Sequence, residues 1–443
     1  MYLAYSFLLS LGLVLLTPYF LFQALAHRKY VDGLRERLGF LPSLNTQPVI
    51  WLHCVSVGET QAARPLVERI RKELPHHALV VSTVTLTGQK LARDLFRTHA
   101  ARVIYFPFDW RWTVRRALKA ISPAAVLVME TELWPNFLRE CKARDIPVAL
   151  VNGRISRKSF GRYKRIKFFL RHVLHDVTIA VMQSETDAGR LRELGGENVV
   201  VAGNLKFDVG VVEQQTDLAR RFGLKTDVPL LLAASTHAPE EKIVIESFQR
   251  LRETQPARLL VAPRRPERFN EVAELIEASG LSWARRTNAR QANDEKAEVI
   301  LLDTIGELPA TYSLATAVFV GGSIVDRGGH NVLEPAAHGV AVVTGAHTHN
   351  FHAIVDLLNE ANAIVQLPPL EGDEAVAALT EVFRRLLTET EWRAQLGSRA
   401  KELVVANQGA TDKTMKLIAP LFSANRATSS TSDSLLPANV PGS

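Results

Sequence analysis

Strand-length apolar runs recur at residues 49–55, 78–84, 102–106, 124–129, 148–151, 178–182 and 199–202, and helical patterns separate them. Parallel strands need a crossover long enough to bring the chain back to the same edge, and a helix is the usual one. The first half therefore reads as a doubly wound α/β domain with a parallel sheet. After a polar stretch at 206–228 the rhythm resumes at 230–234, 258–262, 298–302, 317–320 and 340–344, so a second sheet of the same class is expected. Two such sheets facing each other would make a cleft. A chain of 443 residues that is 47% hydrophobic has the length for two domains and the apolar content to fill both cores.

The ends of the chain differ from this body. Residues 2–26, YLAYSFLLSLGLVLLTPYFLFQALA, carry no charge and have the length to cross a bilayer as one helix. His27, Arg28 and Lys29 follow, with Arg35 and Arg37 beyond. A signal peptide would carry its basic residues before the apolar run, so this one reads as an uncleaved anchor with the body on the cytoplasmic side. Pro18 can kink it, and a helix lying in the membrane interface is the alternative. The organisation expected is an anchor over 1–27, a first domain over 28–205, a linker over 206–228, a second domain over 229–422 and a tail over 423–443. That tail is rich in Ser, Pro and Asn and should be disordered.

A formal net charge of +7 suggests an anionic partner, whether nucleic acid, a phosphorylated lipid or a nucleotide. The densest basic stretch is 154–171, RISRKSFGRYKRIKFFLR, with no acid and with rings at Phe160, Tyr163, Phe168 and Phe169. Beside an apolar anchor this composition favours an anionic lipid over nucleic acid. Two cysteines, Cys54 and Cys141, lack metal-site spacing and are too few for a disulfide framework.

Several strand ends carry candidate chemistry. In VIWLHCVSVGETQAARPLV (49–67) an apolar run gives way to Glu59 where a helical pattern begins. Open α/β sheets bind ligands at the carboxyl ends of their strands, and a helix start favours an ionised acid. Glu59 is thus expected to stay a carboxylate at neutral pH and to accept a proton, although a simple helix cap would look the same. METELWPNF delivers Glu130 and Glu132, which could hold a metal, cap the next helix or line a sugar site. AVFVGGSIVDRGGHNVLEPAAHGV (317–340) joins a strand to a helix through two glycine pairs, so backbone can approach a phosphate or nucleotide near Asn331. Asn331 and Glu334 also have the spacing of a capping pair. Pro263 with Arg264, and Ile305, Gly306 and Glu307, follow two further strands and belong at the cleft edge. His347, His349 and His352 could bind metal or line a phosphate site. SVGETQ has one glycine, so the first strand-to-helix corner lacks the fingerprint of a dinucleotide dehydrogenase.

Taken together, the chain resembles the 3-deoxy-D-manno-octulosonic acid (Kdo) transferases of lipid A assembly. The resemblance rests on the apolar N-terminus, SVGE (56–59), ETELWPN (130–136), NGRIS (152–156), QSETD (183–187), GNLKFD (203–208), STH (235–237), GEL (306–308) and GGHNVLEP (328–335), in unbroken order. It implies a two-domain GT-B fold and an inverting transfer of Kdo from CMP-Kdo to a lipid A precursor, lipid IVA, at the cytoplasmic face of the cell inner membrane. It further implies that Glu59 is the general base and that Glu130 and Lys206 stabilise the transition state. Pro263, Arg264, Ile305, Gly306, Glu307, Asn331, Val332, Leu333 and Glu334 would hold CMP. No metal or other cofactor is expected, since a departing monophosphate has less charge to neutralise than a diphosphate. Cys54 stands where Ala is expected, Ala234 where Gly often precedes STH, and Arg265 where His often follows PR. None of these removes a proposed catalytic group. A GT-B transferase using another activated sugar, and a non-catalytic protein binding anionic lipid, are the alternative readings.

Overall fold

The computed structural model describes residues 1–27, 33–44, 47–208, 217–224 and 228–423. They form two compact units, one of Met1–Asp208 with Gln408–Ser443 and one of Val209–Asn407.

The first unit is built on β1 (Val49–His53), β2 (Ala78–Thr83), β3 (Arg102–Tyr105), β4 (Pro123–Met129), β5 (Val148–Gly153), β6 (Ile179–Met182) and β7 (Val199–Val201). All pair in parallel, in the order β3-β2-β1-β4-β5-β6-β7. Helices cover both faces, so neither face of the central strands meets water. Alternation along β1 sends Val49 and Trp51 to one core and Ile50 and Leu52 to the other.

The second unit repeats the plan with β8 (Leu230–Thr236), β9 (Arg258–Pro263), β10 (Trp283–Arg285), β11 (Val299–Leu301), β12 (Ala317–Val320), β13 (Ala341–Thr344) and β14 (Val365–Gln366). Their order is β10-β11-β9-β8-β12-β13-β14, again parallel. Strands β10 and β14 were not expected. They hold three and two residues at the sheet edges, too few to leave an apolar run in the sequence.

The expected boundaries need correction at the C-terminus. Helix Ala410–Ser423 was assigned to the second domain, yet it lies in the first unit, where Ala410, Met415, Ile418 and Phe422 join the core of Ile50, Leu52 and Val81. Asp208 fixes this return: its carboxylate accepts the amides of Gly409 at 2.6 Å and Thr411 at 2.5 Å. One side chain thus ties the last described residue before the crossing to the start of the returning helix. Lys206–Asp208, expected in the linker, therefore belong to the first unit, while helix Leu218–Arg221 belongs to the second through Arg221 and Asp294 at 2.9 Å. The rest of the linker at 209–216 and 225–227, the basic residues Arg28 and Lys29, and the tail at 424–443 lie outside the described residues.

The uncharged N-terminal run forms helix Tyr2–His27. Its first turns rest on the first unit: Tyr2 Oη donates to Asp176 at 2.6 Å, Tyr5 Oη to Asp109 at 3.0 Å, and Asn136 Nδ2 and Trp110 Nε1 donate to Ser6 Oγ and Ser10 Oγ, each at 3.0 Å. Leu3, Phe7, Leu8, Val14 and Leu15 face outward, each more than 60% exposed. Among the described residues no helix is long and apolar enough to cross a membrane. The basic segment becomes helices Arg157–Arg165 and Lys167–His175. Phe160, Tyr163 and Phe169 pack against the unit's own core, whereas Phe168 is 75% exposed and meets only the His172 ring edge-on at 5.3 Å among the described ring contacts.

Replacing Asp208 with Ala should lower unfolding stability by about 1–2 kcal/mol, the range for losing a helix-capping acceptor. Ending the chain at Asn407 should cost more, because it also strips four apolar residues from a core. Urea unfolding read by circular dichroism checks both, and an unchanged midpoint in the truncated chain would contradict this packing.

Candidate active site

In both sheets the strand order reverses beside the first strand, between β1 and β4 and between β8 and β12. Crossovers leave such a point in opposite directions, and the loops there open a crevice at the carboxyl ends of the strands. Glu59 and Glu130 follow the two strands that flank the first reversal, and Asn331 to Glu334 follow β12 at the second.

After β1, Ser56 caps helix Val57–Ala62. Glu59 answers with both oxygens: Oε2 accepts the Val55 amide at 2.7 Å and Oε1 the Ser56 hydroxyl at 2.9 Å. The cap expected as the bland reading is therefore present, and it aims the acid. Glu59 is 6% exposed. Burial first, and then the Glu130 carboxylate, push its pKa up to about 8, against the hydrogen bonds from Val55 and Ser56. This corrects the expectation of an acid ionised at neutral pH. A six-residue helix supplies a small dipole, and desolvation beside a second acid outweighs it.

Glu130 follows β4 with φ +53°, a left-handed conformation rare for a residue with a side chain, and its amide donates to Val151 O at 2.9 Å. Burial and then Glu130 also raise Glu132. Lys206 sits in the 3-10 turn Leu205–Phe207, its amide held by Asn204 Oδ1 at 3.0 Å. Burial pulls its pKa down, while Glu130 and Glu59 pull it up. The three residues expected to be catalytic are thus brought into one electrostatic cluster, although they follow β1, β4 and the edge strand β7. Cys54 is fully buried beneath it, and burial, Glu59 and Glu130 all keep its thiol protonated, so the departure from Ala adds no charge. Among the described residues, no group of three His, Cys, Asp or Glu side chains converges as a metal site. His347 and His349 turn instead toward Asp326, and His352 toward Asp356.

In the second unit the glycine loop after β12 is organised by Glu240, a fully buried acid that sequence reasoning missed. Its Oε2 accepts the amides of Gly322 at 2.7 Å and His237 at 3.0 Å, and Oε1 those of Ser323 and Ile324 at 2.9 Å. The close approach needs Gly321, where a Cβ would lie 2.7 Å from Thr236 Cα. His237 and His330 meet Nε2 to Nε2 at 2.9 Å. Burial first, then the surrounding arginines, bring His237 down to about 4, and burial, Arg264 and His237 bring His330 down to about 3, so the pair is neutral at physiological pH. The buried acid in STHAPEE and the glycine pairs were the available signals for this loop.

Of the residues expected at CMP, Pro263 ends β9, and the Arg264 amide donates to Thr236 O at 3.0 Å with its side chain exposed. Ile305 is 82% exposed beside Gly306, whose φ is +92°. Glu307 is engaged by Arg286 at 2.9 Å and Thr304 at 2.5 Å, and those bonds hold its pKa down. Asn331 Oδ1 accepts the Leu333 amide at 3.0 Å and its Nδ2 donates to Glu334 at 3.1 Å, which is the capping pair. Val332 and Leu333 bury their side chains in the core, leaving backbone for any ligand contact.

Residues 32–209 match the family model described as 3-Deoxy-D-manno-octulosonic-acid transferase (kdotransferase). The chain is 35% identical to a 3-deoxy-D-manno-octulosonic acid transferase of Haemophilus influenzae, covering 90% of this chain and 93% of that protein. It is 33% identical to the transferase of that name from Bordetella pertussis, over 83% and 86%. Crystal structures of Neisseria meningitidis UDP-GlcNAc 2-epimerase and Acinetobacter baumannii MurG share its fold, with TM-scores of 0.54 and 0.53 at 12% identity. The first alignment covers 86% of this chain and all of the other, the second 84% and 99%. Two doubly wound parallel sheets with these neighbours make the fold GT-B, and the sequence likeness over nearly the whole length means that the chain belongs to the family of Kdo transferases.

Proposed function

We propose that this chain takes Kdo from CMP-Kdo and joins it to lipid IVA, the lipid A precursor, with inversion at the anomeric carbon. The observation that carries the proposal is a buried glutamate whose pKa stands at about 8, beside a second acid and a lysine, at the strand-order reversal of a Kdo transferase family member. An acceptor hydroxyl oxygen attacks the anomeric carbon, the bond from that carbon to the CMP phosphate oxygen breaks, and the hydroxyl proton passes to Glu59. A base with a raised pKa holds that proton more strongly, which suits the task. Lys206 offsets negative charge on the departing phosphate, and Glu130 favours charge build-up on the sugar. Arg264 and the backbone at Asn331, Val332 and Leu333 take the donor's anionic and polar groups, with Pro263, Ile305, Gly306 and Glu307 along the nucleotide. The leaving group is a monophosphate, with less charge to neutralise than a diphosphate, so the proposed reaction uses no metal and no other cofactor.

The same reading sets the protein on the cytoplasmic face of the inner membrane, with helix Tyr2–His27 lying in the membrane plane. The bond from Tyr2 to Asp176 supports this over a spanning helix, because a hydrocarbon layer of about 30 Å cannot separate two hydrogen-bonded residues. The exposed face of Leu3, Phe7, Leu8, Val14 and Leu15 supplies the apolar surface, with Phe168 and the cations of helix Lys167–His175 as further contacts.

Purified protein incubated with lipid IVA and CMP-Kdo should add one or more Kdo masses by mass spectrometry, and CMP should compete where UDP does not. Glu59→Gln should cut turnover by roughly 100-fold or more while donor binding persists; wild-type turnover in that variant would remove Glu59 from its role.

Because Glu59 must be ionised to accept a proton, kcat/KM should rise as pH rises toward about 8 and then level off. Glu130→Gln removes a charge that raises that pKa, so the acid limb should move to lower pH whatever the residual rate. A limb that stays in place would uncouple the two acids.

Phe7→Asp combined with Leu11→Asp should weaken binding to vesicles containing phosphatidylglycerol by roughly tenfold or more, from the transfer energy of two apolar side chains. Both positions are exposed, so folding should survive. Undiminished sedimentation with vesicles would show that this face does not enter the membrane.

A further inference from the structure

Lys206 has an unusual address. It follows β7 at the edge of the sheet, whereas the acids it must serve follow β1 and β4, with β5 and β6 lying between. Something must hold the turn Leu205–Phe207 back over those strands, and the best-placed group is Asn152. This residue is the last but one of β5, with φ +57°, where the β5–β6 pairing shifts register between Leu150 and Gly153. Such irregularities at strand ends re-aim side chains. Here Asn152 Oδ1 accepts the Leu205 amide at 3.0 Å, immediately before Lys206. Gln183 Nε2 secures the same residue from below by donating to Asn152 O at 3.0 Å.

The acceptor role fixes which end of the amide is which, because only oxygen can receive the Leu205 hydrogen. Nδ2 then remains, and among the described residues it is a buried donor with no partner, on a side chain 1% exposed. Leaving such a donor unmet costs roughly 1–3 kcal/mol, a cost that a glycine at this position would not carry. Its neighbours along the chain are Val151, which receives the Glu130 amide, and Arg154, whose amide and carbonyl bracket the Thr131 hydroxyl. The unpaired hydrogens therefore belong to the same corner as the acids.

We propose that Asn152 is the positioning residue for Lys206, holding its turn through the Leu205 amide, and that its remaining amide hydrogens are met by an oxygen of the bound substrate. The inference rests on the role proposed for Lys206. Glycine keeps the left-handed backbone and removes the side chain, so Asn152→Gly isolates the amide. Its kcat should fall by roughly 10- to 100-fold, as expected when a catalytic group is misplaced by about 1 Å. In a Lys206→Ala background the same substitution should cost less than about threefold, since the group it positions is already gone.

Asn152→Asp keeps the acceptor and replaces the donor with a negative oxygen. Above the acid limb its kcat should stay within about fivefold of wild type while KM rises about tenfold or more, one lost charge-assisted contact being worth that much. Hydrogen exchange at the Leu205 amide gives a readout independent of the reaction: protected in wild type and Asn152→Asp, faster in Asn152→Gly. Equal losses in both backgrounds, or unchanged exchange in Asn152→Gly, would overturn the positioning role. A wild-type KM in Asn152→Asp would overturn the substrate contact. If Lys206→Ala alone leaves turnover intact, it is the proposed mechanism that fails, and that outcome is distinct from additivity in the cycle.

Discussion

The parallel pairing of β1 with β4 is the constraint on which the first unit depends. These strands are distant in sequence, with two strands and three crossovers between them, yet β1 sits between β2 and β4 in register. That arrangement sends one crossover to each side of β1 and opens the sheet at the carboxyl ends of β1 and β4. Glu59 and Glu130 are the first acids past those ends. Their proximity is a property of strand order, and the two helices that follow could change in length without separating them.

Four buried acids show how environment divides structure from chemistry. Burial pushes Glu140 up, and hydrogen bonds from Arg115, Arg144 and Arg111 outweigh it, holding its pKa down at about 2. That is a charge kept for packing helices together. Glu240 is raised by burial against four backbone amides, and its work is to shape a loop. Asp109 accepts the amides of Asn136 and Phe137 and the Tyr5 hydroxyl, anchoring a helix start. Glu59 alone of the four has another carboxylate as a leading influence on its proton. Stability would be better served by an arginine there, so the pairing of acids is what marks the corner as chemical.

Most of the fold was legible in the sequence because buried parallel strands must be apolar on both faces, and twelve of fourteen announced themselves as apolar runs. The two missed strands are edges of two and three residues. Helix Ala410–Ser423 was misassigned for a different reason: an amphipathic pattern states that a helix has a core to join and says nothing about which core. The candidate site was legible through residue types at strand ends and through order of motifs, and the resemblance they carry accounts for the roles given to Glu59, Glu130 and Lys206. Protonation was not legible. The helix start beside Glu59 argued for an ionised acid, and the opposing influence comes from Glu130, whose position depends on the sheet order. His237 meeting His330, and Glu240 receiving amides from two loops, are likewise products of tertiary structure, since each joins segments more than eighty residues apart in the chain.

Backbone conformation links these observations. Three non-glycine residues at strand ends, Glu130 after β4, Asn152 in β5 and Ser235 in β8, have φ between +53° and +57°. Each lies at the carboxyl end of its sheet, and at two of them the ladder shifts register. A left-handed residue costs of order 1 kcal/mol or more and persists only where its surroundings over-determine it. Glu130 is held by the ladder to Val151, and Asn152 by Gln183 and Leu205. Turning a strand end this way takes the side chain out of the alternation along the strand, as where Asn152 reaches across to the Leu205 amide. The sheets thus supply rigid, apolar strands whose carboxyl ends are bent out of the ladder, and the hydrogen bonds around those bends are what keep the polar groups from relaxing into the strand.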